Sequence, residues 1–296
     1  MLLQIRENKF NGPNRAILEH IQKIIKQSNY AMSVRQIHYK LVSLGCIENT
    51  LSEYRKVSSI CTKGRYIGAL DWDLISDETR GAYKTESYQD IRQSLEYQIK
   101  TYRKNRWADS EYYLETWVEK RTMTNIFYPV TNHYDIFLNV GGGFNSTSSI
   151  WQAVKRLMQN IDKKIIILYF GDLDPSGDFM TEDIETRLKE FNLDIKVERV
   201  LLTPAQVIEY DLPKKFDIKK QTRDRGTVNK LLDDPRHKRF ISKYGELSQT
   251  EIEALDTPVI IDLLTRSIEK YLDMDLFNSV IGQEEIERDN IRKLLA

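Results

Sequence analysis

Cysteine is nearly missing from this 296-residue chain: Cys46 and Cys61 are the only two. Two thiols cannot build a disulfide framework or a four-ligand zinc site, and they fit a reducing compartment. Long apolar runs are missing as well. The longest candidate, IIILYF at 165–170, falls far short of the ~18 residues of a membrane span and reads as a buried strand. The first residues, MLLQIRENKF, carry Arg6, Glu7 and Lys9, and no signal-type apolar segment follows. A cytoplasmic protein with no membrane partner is the expectation. No internal repeat or low-complexity tract stands out. His20, His133 and His237 are scattered without ligand spacing. A P-loop is lacking too: Gly141-Gly142-Gly143 runs into Asn145, Ser146 and Thr147 without the Lys-Ser/Thr ending, which excludes that route to nucleotide hydrolysis. The glycines read either as a cradle of backbone amides for a phosphate or as a plain strand-to-helix turn.

Net charge is also zero, with 44 Lys and Arg against 44 Asp and Glu, but the sum hides an asymmetry. Residues 1–108 carry 18 basic and 11 acidic side chains, and the remainder carries 26 and 33. A basic part joined to an acidic part suits a polyanion-binding module beside one that concentrates carboxylates. Hydrophobic residues at 41% and charged residues at 30% are ordinary for a globular chain, and the length suits about two domains. The division is expected at 1–108 and 109–296.

Periodicity supports that division. NRAILEHIQKIIKQ sets Ile17, Ile21, Ile24 and Ile25 at helical spacing. Ser33 caps VRQIHYKLVSLG, which stops at Gly45, and Asn49 or Thr50 opens LSEYRKVSSICTKGRYIG. ALDWDLISDETR then reads as a short hairpin or wing. Three short helices and a trailing extended segment form the pattern of a winged helix-turn-helix, whose third helix would carry Arg55, Lys56, Lys63 and Arg65 to a DNA groove. A connector helix is expected within 83–107. From about 110 the pattern changes to strands EYYLETWVE, DIFLNVGGG, KKIIILYFGD and IKVERVLLT. Helices at 120–129, 146–161 and 178–191 separate them. Strands alternating with helices indicate α/β architecture with a mainly parallel sheet. The DDPRHKR region reads as loop, and helices are expected near 249–255 and 257–273. Arg223, Arg225, Arg236, Lys238 and Arg239 form a second basic region.

Three acids fall at strand ends. Glu119 closes the first strand in WVEK, and Asp172 and Asp174 follow the buried strand in GDLDPSG. Ligands of open α/β sheets bind at the carboxyl ends of strands. Three carboxylates converging there repel one another unless a cation sits among them, and an oxygen-only set suits Mg²⁺, with Mn²⁺ as a substitute. Asp, Pro, Ser and Gly are equally the residues of an ordinary turn. Lys120 and Arg121, beside Glu119, stand within reach of a phosphate or at a solvated helix start.

Glu119, the NVGGG turn and GDLDPSGDFM together resemble the topoisomerase–primase (TOPRIM) fold. Within it they resemble the A subunit of topoisomerase VI and the meiotic double-strand-break transesterase. The resemblance covers roughly 30–270, including VLLTPAQVIEYDLP and TEIEAL, and implies an N-terminal winged helix-turn-helix domain followed by a TOPRIM domain. The family's nucleophile ends an Arg-x-x-aromatic-Tyr motif. Here Arg35-Gln36-Ile37-His38-Tyr39 puts Tyr39 at the nucleophile and Arg35 at the supporting arginine, with His38 where the family has an aromatic or large apolar residue. Arg35 lies one helical turn before Tyr39, on the same face. Between Ile37 and Leu41, Tyr39 also reads as an ordinary packing tyrosine.

The resemblance implies Mg²⁺-dependent cleavage of double-stranded DNA by tyrosine transesterification. It implies a homodimer in which Tyr39 of one subunit meets Glu119, Asp172 and Asp174 of the other. The expected type is a short, stand-alone, type IIB topoisomerase A-like protein of a prokaryotic nucleoid or mobile element, its coupling to an ATPase B-type subunit left open. Two alternatives remain: a metal-dependent TOPRIM nuclease that uses water, and a non-catalytic DNA-binding protein.

Overall fold

KIIILYF leaves no side chain for solvent beyond its first residue. In the computed structural model of the chain it forms a central strand, β5 (Lys164–Phe170). Residues 10, 12–28, 30–76, 86–141, 147–213, 234–244 and 249–295 are described. The sheet has four strands in the order β4-β3-β5-β6, all parallel, with β3 Tyr112–Val118, β4 Phe137–Val140 and β6 Lys196–Leu201. Alternation assigns the faces. Ile165, Ile167 and Tyr169 join Trp117 in one core with α6 (Thr147–Met158) and α7 (Pro175–Lys189). Ile166, Leu168 and Phe170 join Leu114 and Val118 in the other. That second core packs α5 (Thr124–His133), α10 (Thr257–Glu269) and Phe277 of α11 (Met274–Leu295).

The α/β expectation is therefore met, with local differences. A 3₁₀ turn, Arg121–Met123, precedes α5. Helix α7 begins earlier than periodicity alone suggests, because Asp174 caps it and Pro175 fills its first position, where a missing N–H costs nothing. DDPRHKR is not a loop: Pro235–Tyr244 is helix α9, following α8 (Pro204–Glu209). Residues 249–255 are not an α-helix. Thr250 bridges Leu173 antiparallel, and only a 3₁₀ turn, Ile252–Ala254, follows.

The N-terminal helices α1 (Gly12–Gln27), α2 (Val34–Ser43) and α3 (Leu51–Tyr66) build their own apolar core around Ile21, Ile37, Leu41 and Val57. Ser33 and Gln36 form a capping box on α2. The expected hairpin takes another form in the described residues. β2 (Ile75–Ser76) pairs in parallel with β1 (Met32–Ser33), the strand before α2, and 77–85 lie outside the described residues. The connector helix is α4 (Ile91–Thr101), capped by Asp90 and lying against α11.

Candidate functional site

Chain order places the site. After β3 the chain moves outward to β4, and after β5 it moves outward in the opposite direction to β6. The adjacent ends of β3 and β5 therefore form the topological switch point of the sheet, where open α/β sheets bind ligands. Glu119 and Asp172 are the residues just beyond these ends. The Glu119 N–H donates to the Phe170 carbonyl at 2.9 Å. Its Oε2 accepts from the Asp172 N–H and from the Tyr169 hydroxyl, each at 3.2 Å. Gly171 permits this approach, since a Cβ there would lie 2.6 Å from Glu119 Oε2 and 2.4 Å from the Tyr169 hydroxyl.

The turn after β5 is held on several sides. Asp174 Oδ1 accepts from the Ser176 and Gly177 N–H groups at 3.0 and 2.8 Å. A Cβ on Gly177 would fall 2.3 Å from the Asp172 carbonyl oxygen, so the motif's last glycine is a steric requirement. The Arg199 guanidinium donates to the carbonyls of Leu202 and Gly177, both at 2.7 Å, and to that of Asp172. Asp172 Oδ1 accepts from the Ile252 N–H at 2.9 Å, which ties the turn to the 249–257 segment.

That segment brings two more acids. Lys120 Nζ lies 3.1 Å from each of Asp172, Glu251 and Glu253. Burial alone would lower the Lys120 pKa, but the carboxylates of Asp172, Glu253 and Glu251 outweigh it and raise it, so the ammonium stays charged. Glu119 shifts the other way for a carboxyl group: burial and then the charges of Asp172 and Asp174 raise its pKa. Glu119 thus feels the charge of both other predicted acids.

Two of these acids are engaged within the protein in this arrangement. Asp172 is turned to Lys120 and the Ile252 N–H, and Asp174 Oδ1 into the first turn of α7. Among the described residues no three His, Cys, Asp or Glu side chains are grouped to hold a metal. The positive charge beside Asp172 is an ammonium.

Helix α2 lies over this edge. Ser33 Oγ donates to Glu253 at 2.9 Å, Arg35 to Glu251 at 3.2 Å and Gln36 to Thr257 at 3.2 Å. Lys40 donates to both Asp256 oxygens at 2.7 Å. Tyr39 is only 1% exposed. Burial raises its pKa well above that of a free phenol and Glu251 adds to the rise, while Arg35 and Lys120 oppose it. Tyr39 and Arg35 are thus in the same network as Lys120 of their own chain. The Arg35 guanidinium also lies over the Tyr54 ring, 4.6 Å from its centroid. His38 is buried beside Asn49 Oδ1 at 3.2 Å, and burial lowers its pKa, which leaves it neutral at pH 7.

The proposed DNA face of α3 divides. Arg55 and Lys63 are exposed. Lys56 pairs with Glu53 at 3.3 Å. Arg65 does not share their surface: it is buried, with its guanidinium 5.0 Å from the Trp72 ring centroid, because two residues of α-helix place it about 160° round the axis from Lys63, toward the trailing segment. In the second basic region, on helix α9, Arg236 pairs with Asp234 and Arg239 with Glu182 of α7, Lys238 is exposed, and Arg223 and Arg225 lie outside the described residues. Of the glycine turn, Gly141 is described, its Cα side facing Arg121, and 142–146 are outside.

Sequence reasoning gave no role to Glu251, Glu253, Asp256 or Arg199. TEIEALDTP carries three of them, but their relevance comes from the Leu173–Thr250 bridge, for which no local signal exists. No protein-family model matches the chain, and no curated protein matches it significantly.

Proposed function

We propose that the chain cleaves double-stranded DNA by tyrosine transesterification, as a winged-helix and TOPRIM protein of the topoisomerase VI A type. The observation that carries this reading is the chain of ion pairs that links the helix of Tyr39 to the acidic strand ends: Arg35 to Glu251, Glu251 to Lys120 and Lys120 to Asp172. These contacts run from 3.1 to 3.2 Å, although 35, 120, 172 and 251 are far apart in the chain. In this reaction the Tyr39 oxygen bonds to phosphorus, the bond to one deoxyribose oxygen breaks, and the phenolic proton passes to solvent. Arg35 would stabilise the phenolate and the phosphate charge. A carboxyl group with a raised pKa is suited to donate a proton, so Glu119 is assigned to protonate the leaving oxygen.

Mg²⁺ or Mn²⁺ belongs to the proposal only where Asp172 releases Lys120, and no step here is routed through it. A homodimer cutting both strands, with or without an ATPase partner, is the corresponding assembly. The burial of Tyr39 favours a second reading, a nuclease in which water attacks and Tyr39 is a bystander.

The two separate in one experiment. Plasmid is incubated with protein and Mg²⁺ or Mn²⁺, then treated with detergent and protease. Linear DNA released only after denaturation, and lost in Tyr39→Phe, supports the transesterase. Cleavage retained in Tyr39→Phe supports the nuclease, and no cleavage under any condition removes both.

A further inference from the structure

A nucleophile that attacks a phosphodiester must meet it, yet Tyr39 is sealed at 1% exposure where α2 meets the 249–257 segment. The seal is polar. Arg35 is held by Glu251, Lys40 by both oxygens of Asp256, and Ser33 by Glu253, while Lys120 reaches Glu251 and Glu253 from the sheet side. Each cation of this face that a DNA phosphate would seek is thus bound to a carboxylate of one short segment. A carboxylate presents the same pair of anionic acceptors to a guanidinium or ammonium as two phosphate oxygens do.

We propose that the 249–257 segment is an internal stand-in for DNA phosphate. It latches α2 over the sheet edge, sequesters Tyr39 in the DNA-free chain, and yields when a polyanion competes for Arg35 and Lys40. This rests on the reading of Tyr39 given above. The latch is suited to opening. Its Lys40–Asp256 pair is 38% and 54% exposed, in the range where ion pairs are weak and salt-screened. By contrast, the cores on either side are apolar and close within their own modules. Polar interfaces between modules of one chain are the ones that move. Opening also frees Arg35 and Lys40 from the one segment that pairs with both, so release of the tyrosine and exposure of phosphate-binding cations are one event.

The test is tyrosine nitration with tetranitromethane, mapped by mass spectrometry, on the full chain without DNA. Tyr39 is expected to react far more slowly than Tyr66 and Tyr128, which are 51% and 57% exposed. Asp256→Lys should raise its nitration rate about tenfold, equivalent to ~1.4 kcal/mol lost from the closed state. Lys40→Glu combined with Asp256→Lys should restore protection. Glu251→Gln should also tighten binding to a DNA duplex, whereas Asp289→Asn, an equal charge change on α11, should not. Tyr39 reacting like Tyr66 in the wild type overturns the latch, as does protection unchanged by Asp256→Lys or not restored by the swap. Because nitration needs no cleavage activity, loss of the transesterase reading in the Tyr39→Phe experiment is seen separately.

Discussion

The interior of the sheet and its carboxyl edge are built on opposite principles. Along β5 six consecutive buried residues face two apolar cores, and the buried charge of the neighbouring strand, Glu115 of β3, is matched by Arg156 at 2.9 Å. A few residues further on, past Phe170, the buried groups are Asp172, Glu251 and Glu253, held with the mostly buried Lys120. The first region is stabilised by removing apolar surface from water, which needs only shape and volume. The second places charges where desolvation opposes them, and survives only because each has a partner. Apolar burial therefore dominates along the strands and charge pairing at their ends.

Substitutions can break or sharpen that contrast, and their effects should fall in the following sequence. Ile167→Ala, at a fully buried position of β5, should cost about 2–5 kcal/mol through lost transfer energy and a cavity, read from urea denaturation. Lys120→Ala should cost less, about 2–3 kcal/mol, because its side chain keeps 22% exposure but leaves three carboxylates facing one another. A loss as small as that of a surface lysine would show that the edge is solvated in solution.

Glu119→Gln should act in the other direction. The folded state raises the Glu119 pKa, so it binds this proton more tightly than the unfolded chain does. Its contribution to stability is best below the unfolded carboxyl pKa and falls as pH rises through the folded one. The glutamine variant removes that fall. It should match the wild type near pH 4 and melt higher at pH 7, while the proposed DNA cleavage should be lost. A variant less stable at pH 7 would mean that the carboxylate is favourably held. The smallest change belongs to Lys40→Ala, within about 1 kcal/mol at low salt and vanishing at high salt, measured by thermal melts at two ionic strengths.

Much of the fold was legible because its signals are local. The unbroken run 165–170 could only be a strand buried on both faces, and helical spacing of isoleucines placed α1. GDLDPSG carried its own geometry: Asp174 as cap, Pro175 at the first helical position, Gly177 where a side chain would strike the Asp172 carbonyl. Where reading failed, the deciding contact was remote. Arg65 shared a charged helix with Lys63, and only the position of Trp72 turned it inward. The basic DDPRHKR looked like loop, yet Phe240 buries one side of a helix there.

The order of amino acids by itself settled the strands of the main sheet, the helices between them and the presence of acids beyond β3 and β5, since each depends on a few neighbouring residues. Which charges those acids meet was decided only by the folded chain. The Thr250 bridge to Leu173 draws Glu251 and Glu253 to Lys120 and seats α2 above them, and the burial and charges gathered there shift the proton affinities of Glu119 and Lys120. The physical reason is one of range: a turn or a cap is complete within a helical turn of chain, whereas the polarity around a side chain is set by whatever segment the fold brings next to it.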